Sequence, residues 1–150
     1  NNRHSFPTRR SSDLALLLAL PAPAAERLHT SISGEALRGI MLAEGYNAQA
    51  LTLDKDGDVV WKLDGYRTNL IIDDDGDSIE FSSAFTDPST LEKVNAWNRS
   101  KRYSRSYLDA DGDPVLELDL DLSGGVTQER ILDFLRTCEL SFEAWRKEVL

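Results

Sequence analysis

The chain has 150 residues, 17 basic and 26 acidic, giving a net charge of −9, with 41% hydrophobic residues and a single cysteine. So acidic a surface repels nucleic-acid phosphates and anionic lipid headgroups, which argues against both as direct partners. Cys138, standing alone, rules out an intrachain disulfide and a cysteine-rich metal centre.

The first residues are expected to lie outside the folded domain. The chain begins at Asn1 and its one methionine is Met41, so the N-terminus is expected to be a fragment or a fusion scar. The stretch from His4 to Leu14 closely resembles the translation of a short-read sequencing adapter, and residues 1–14 are set aside on that ground. Ala15 to Leu20 is a short apolar run followed by the small-residue stretch Pro21 to Ala25, the pattern of a secretory signal remnant. A run this short cannot span a bilayer, which takes about 20 residues. Residues 15–25 therefore predict an exported protein, periplasmic or secreted, with no stable membrane span. Removing residues 1–25 leaves 14 basic and 25 acidic side chains and a net charge of −11. The remaining residues 26–150 suffice for one domain with its own core.

From Ser33 a helix is expected, with Leu37, Ile40, Met41 and Glu44 at helical spacing and Gly45 as its C-cap. Four short alternating runs follow: Leu51–Leu53, Val59–Leu63, Asn69–Ile72 and Ser78–Phe81. Asp56-Gly57, Asp64-Gly65 and Asp75-Gly76 separate them, and Asp-Gly between such runs signals type I′ hairpin turns. The expected product is a four-stranded antiparallel meander. Asp87-Pro88 predicts the start of a second helix through Leu91, Val94 and Trp97 towards Arg102. Tyr103 to Leu108 reads as a fifth strand, turning at Asp111-Gly112. In the sixth, Leu116, Leu118, Leu120 and Leu122 alternate with Glu117, Asp119 and Asp121, which predicts a half-buried strand with a solvated acidic face. Thr127 is placed to cap a long last helix whose Ile131, Phe134, Leu135, Cys138, Phe142, Trp145 and Val149 share one face. The order α-β-β-β-β-α-β-β-α predicts a two-layer α+β fold with an antiparallel sheet.

Several of these residues resemble a known family. Val94-Asn95-Ala96-Trp97-Asn98, then Arg102-Tyr103, then the run from Tyr107 to Glu117 are similar to the YbjN-like pattern. Gly124-Gly125-Val126-Thr127 and Leu42-Ala43-Glu44-Gly45-Tyr46 fit it too, so the resemblance covers nearly all of residues 31–150. It implies a bacterial sensory-transduction regulator with a fold like that of type III secretion chaperones. It implies no catalytic residues. The export signal departs from the cytoplasmic setting of secretion chaperones.

Asp54 to Asp58, Asp73 to Asp77 and Asp109 to Asp113 share the form D-x-D-G-D, whose oxygen ligands suit calcium. Their glycine falls fourth rather than sixth, and position twelve is Gly65, Ala84 or Leu120, where an EF-hand needs glutamate. Hairpin turns are the expected explanation. His29 is the one histidine beyond the adapter-like stretch and is expected in a flexible tail, which leaves a Ser-His-Asp or Cys-His arrangement unsupported. Glu117 with Asp119 reads as a solvated strand face rather than as a two-carboxylate hydrolase site. Trp61, Phe81, Phe134, Phe142 and Trp145 are core positions, and Asn98 is expected to brace the following strand. Asn98, Arg102 and Tyr107 are the first place to look for a polar recognition site. No catalytic, cofactor-binding or metal-binding residue is assigned. The expected function is a non-catalytic regulatory domain recognising a protein partner, with a second copy of the chain as a further candidate partner. A calcium-responsive accessory domain is the alternative.

Overall fold

The computed structural model describes residues 25–150; the expected adapter-derived segment 1–14 and, but for Ala25, the export segment 15–25 lie outside them. Helix α1 (Gly34–Glu44) starts where the Ser33 side chain accepts from the Ala36 N–H (3.1 Å) and stops at Gly45, whose φ of 105° is the left-handed conformation of a C-cap. A single 3-10 turn (Ala48–Ala50) leads into β1 (Leu51–Leu53), β2 (Val59–Leu63), β3 (Tyr66–Ile72) and β4 (Ser78–Ala84). These four form the expected antiparallel meander. Then come α2 (Leu91–Ser100), β5 (Arg105–Leu108), β6 (Pro114–Asp121) and α3 (Gln128–Glu148). The six strands form one antiparallel sheet in the order β1-β2-β3-β4-β6-β5, and the element order is the expected one.

Local details depart from the sequence reading for identifiable reasons. Only Asp64-Gly65 is a two-residue type I′ turn, with φ of 51° and 83° at its centre. It pairs Leu63 directly with Tyr66, so β3 begins three residues before the expected Asn69. The three D-x-D-G-D segments are longer loops. Gly57, Gly76 and Gly112 take positive φ, and each N–H returns to the carbonyl three residues back, on Asp54, Asp73 and Asp109. The leading aspartate fixes each loop: Asp54 Oδ1 accepts from Asp56 and Asp58 N–H, and Asp109 Oδ1 accepts from Asp111 and Asp113 N–H, all near 3 Å. This is the Asx-turn role of aspartate, with glycine at the left-handed position.

The second helix starts at Leu91, capped by Thr90 (3.3 Å from Lys93 N), and not at Asp87-Pro88. Ser89 Oγ donates to the Val149 carbonyl (2.6 Å), which ties the segment before the helix to the end of α3. Tyr103 is a turn residue at φ 66°, so β5 begins only at Arg105. Nor is His29 in a free tail, because its backbone exchanges two hydrogen bonds with Val126 (2.7 and 3.0 Å).

The core lies between one sheet face and the helices. Leu51, Trp61, Leu70, Phe81 and Leu118 from the sheet meet Leu37 and Met41 of α1, Val94 and Trp97 of α2, and the expected apolar face of α3. A string of aromatic contacts, with centroids 5.5–6.2 Å apart, runs from Tyr46 through Trp61, Phe81, Phe142 and Phe85 to Trp145. All three helices contribute to this one layer, so among the described residues nothing covers the other sheet face.

Candidate functional site on the uncovered sheet face

Because side chains alternate along a strand, the register fixes which residues share the uncovered face. Lys62 stands opposite Arg67, Asn69 opposite Ser82, Ile71 opposite Glu80, and Glu117 between Ser82 and Arg105. Leu116, Leu118 and Leu120 of β6 point into the core as expected. Their acidic neighbours are not uniformly solvated. Glu117 is only 7% exposed, which corrects the expectation of an open acidic face.

The burial of Glu117 has a physical cause in its two neighbours across the β5–β6 ladder. Arg105 lies directly opposite and its guanidinium grips Glu117 Oε2 through Nε (2.5 Å) and Nη2. Tyr107, two residues on and on the same face, donates its hydroxyl to Oε1 (2.6 Å). Both oxygens are thereby satisfied, as a buried carboxylate requires. The same guanidinium reaches Asp119 (3.4 Å) and Glu80 (3.7 Å), so three carboxylates share one cation. Burial first, then the charges of Glu117 and Asp119, raise the Glu80 carboxyl above its ordinary value. The hydrogen bond to Glu117, with burial, pushes the Tyr107 phenol up to about 12.

That pairing has a spectroscopic signature. Tyr107 holds its proton more tightly folded than unfolded, so its contribution to stability is complete below the ordinary phenol value of 10.0 and is lost as the pH rises to about 12. Glu117→Gln removes the charged acceptor. Phenolate absorbance is expected to show one tyrosine moving down from about 12 in this variant. An unchanged titration would mean that Glu117 does not hold the phenol.

Asn98, Arg102 and Tyr107 do not form one site. The Asn98 amide donates to the Ser106 carbonyl (2.8 Å) and accepts from its N–H (2.9 Å), so it braces the strand as expected. Arg102 is exposed at the end of α2, while Tyr107 belongs to the Glu117 group. The Asn98 bracing also decides how the sheet can be approached. A side-chain amide occupying both backbone groups of a β5 residue blocks addition of a further strand there. At the other edge, Leu51 N–H donates to Ala48 and its carbonyl accepts from Arg38 Nε (3.0 Å). Both edges are blunted, which leaves the face.

Among the described residues no group of three or more His, Cys, Asp or Glu is arranged to hold a metal ion. Cys138 is fully buried on α3, and burial raises its thiol pKa well above the ordinary value. The Glu117 group could not have been read from the sequence as a site, because Arg105 and Glu117 become neighbours only through the pairing of β5 with β6.

Comparison with known proteins agrees with this architecture. The profile of the YbjN family, described as "putative bacterial sensory transduction regulator", matches residues 33–150. YbjN of E. coli, whose crystal structure describes it as "a putative transcription regulator", is 19% identical, with a TM-score of 0.62 over 83% of this chain and 98% of that one. The Yersinia pestis type III secretion chaperone SycH, solved in complex with a stable fragment of YscM2, is 12% identical, with a TM-score of 0.50 over 69% of this chain and 91% of that one. At such identities the likeness is one of fold. No curated protein matches the chain.

Proposed function

The chain belongs to the YbjN family, and from that membership and its uncovered sheet we propose that it is a non-catalytic regulatory domain that recognises a protein partner through the sheet face. The observation that carries this reading is the one-sided layering among the described residues: three helices on one face, none on the other, and both strand edges blunted. Function rests here on the surface itself, because fold likeness does not transfer a role. The chemistry supports a binding role. His29 is engaged through its backbone, Cys138 is sealed in the core, and the Glu117 group is saturated by its own partners. The apolar run Ala15 to Leu20 with the small residues after it supports a periplasmic or secreted setting.

The calcium-responsive alternative has less support, since Asp54 and Asp109 already spend an oxygen on two loop amides each. A photo-reactive benzophenone side chain at Ser82, in the middle of the face, tests the proposal. It is expected to give discrete protein adducts, whereas the same group at Leu140, exposed on α3, gives none. Millimolar calcium is expected to leave the thermal midpoint where it was. Adducts from Leu140 alone would place recognition on the helical layer and overturn the reading.

A further inference from the structure

The uncovered face is bipolar. Lys62 and Arg67 stand side by side on β2 and β3 at one corner, exposed, and among the described residues neither makes an ion pair. At the diagonal corner, on β4 and β6, Glu80 stands beside Asp119, with Asp121 beyond them. Among the described residues Arg105 is the one cation paired with these carboxylates, and Glu117 already occupies it most closely. Two strand spacings across and four residues along put the corners about 16 Å apart. That is about twice the screening length of about 8 Å at physiological ionic strength, so the corners do not neutralise one another within one molecule. Between them lie small or neutral side chains: Asn69, Ser82, Ile71 and Ala84.

We propose that the partner recognised by this face is a second copy of the same chain, docked face to face. A half-turn about an axis in the interface that bisects the line between the corners lays Lys62 and Arg67 of each copy over Glu80 and Asp119 of the other. The contact is isologous, so each complementary pairing occurs twice and the assembly closes as a dimer. Strands cross near a right angle, one of the two recognised ways sheets stack. Six strands of three to eight residues, 34 residues in all at about 4.8 by 3.3 Å each, give a face of about 540 Å². That is smaller than the roughly 800 Å² per partner of a standard interface, so the dimer expected here is a weak one that depends on its charge pairs. The overall negative charge opposes association, but it is spread over the whole surface and screened, whereas the corner contacts are close. This inference rests on the sheet face being the recognition surface.

The test is a charge swap read by sedimentation velocity. The wild-type protein is expected to be dimeric and to dissociate in 1 M salt, where the screening length falls to about 3 Å. Lys62→Glu with Arg67→Glu makes the face predominantly acidic, with Arg105 its remaining cation, and Glu80→Lys with Asp119→Lys makes it predominantly basic. Each variant alone is expected to bind itself about a hundredfold or more weaker, since like charges then face each other. Mixed one to one, they are expected to recover a dimer containing one of each. A dimer that survives both variants, fails to reform in the mixture or is indifferent to salt would overturn the proposal. A monomeric wild type whose Ser82 probe captures a different protein would overturn it too, yet leave the sheet face as the recognition surface. No adduct of any kind from Ser82 would sink both.

Discussion

Gly34→Ala is expected to destabilise the domain by about 2–3 kcal/mol, while Gly39→Ala, the same change in the same helix, stabilises it by about 0.5–1 kcal/mol. A Cβ on Gly34 would stand 1.9 Å from the carbonyl oxygen of Gly57, and the obstacle is backbone that cannot rotate away. Either the first turn of α1 or the β1–β2 loop must move. That loop is held by Asp54, and Asp58 Oδ1 accepts from the Ile72 N–H (2.9 Å), so displacing it disturbs the meander as well. A Cβ on Gly39 meets nothing within 4 Å, so there only the helix preference for alanine acts. Urea denaturation of the two variants beside wild type checks both signs at once. Two changes of the same sign would mean that α1 does not press on the β1–β2 loop.

Trp145→Ala is expected to cost about 3–5 kcal/mol, a large part of the about 5–15 kcal/mol that holds an ordinary domain folded. Trp145 is fully buried and packs against Phe85 at 5.7 Å. Its Nε1 donates to Ser106 Oγ (2.8 Å), and the same hydroxyl donates to the Val115 carbonyl (2.8 Å). One indole thus ties α3 to both β5 and β6, and its removal leaves a cavity where the helical layer meets the last two strands. Trp145→Phe keeps most of the volume and loses the hydrogen bond, so a cost nearer 1–2 kcal/mol is expected. Thermal midpoints of the pair separate packing from hydrogen bonding. Equal losses in both would assign the effect to the N–H alone.

What could be read in the sequence was local. Ser33, Gly45 and Thr127 announced their caps, because a cap depends on side chains within three residues of a helix end. The apolar faces of α1 and α3 were legible because helical periodicity repeats over several turns. Asp64-Gly65 gave its turn type correctly, while the D-x-D-G-D loops were recognised as hairpin connections but assigned the wrong turn. Their extra residues and their leading aspartates make them longer loops stapled by side chains. The start of α2 was misplaced because the deciding contact, Ser89 with Val149, spans 60 residues.

The candidate site was far less legible. Asn98 was expected to brace the following strand, and it does, since its target lies eight residues away. From its own strand, which alternates apolar and acidic, Glu117 reads as solvated, and alternation alone cannot show what crosses from the neighbouring strand.

By itself, then, the amino-acid order determined that six strands form, the caps of α1 and the N-cap of α3, the core-facing positions and the α+β order, since turn chemistry and periodicity act over a few residues. Tertiary structure alone decided that β6 lies between β4 and β5. It decided that Arg105 and Tyr107 bury Glu117, and that opposite charges gather at diagonal corners of one uncovered face. These depend on which strand pairs with which and in what register. A shift of one residue in that register would turn every side chain of a strand to the other face.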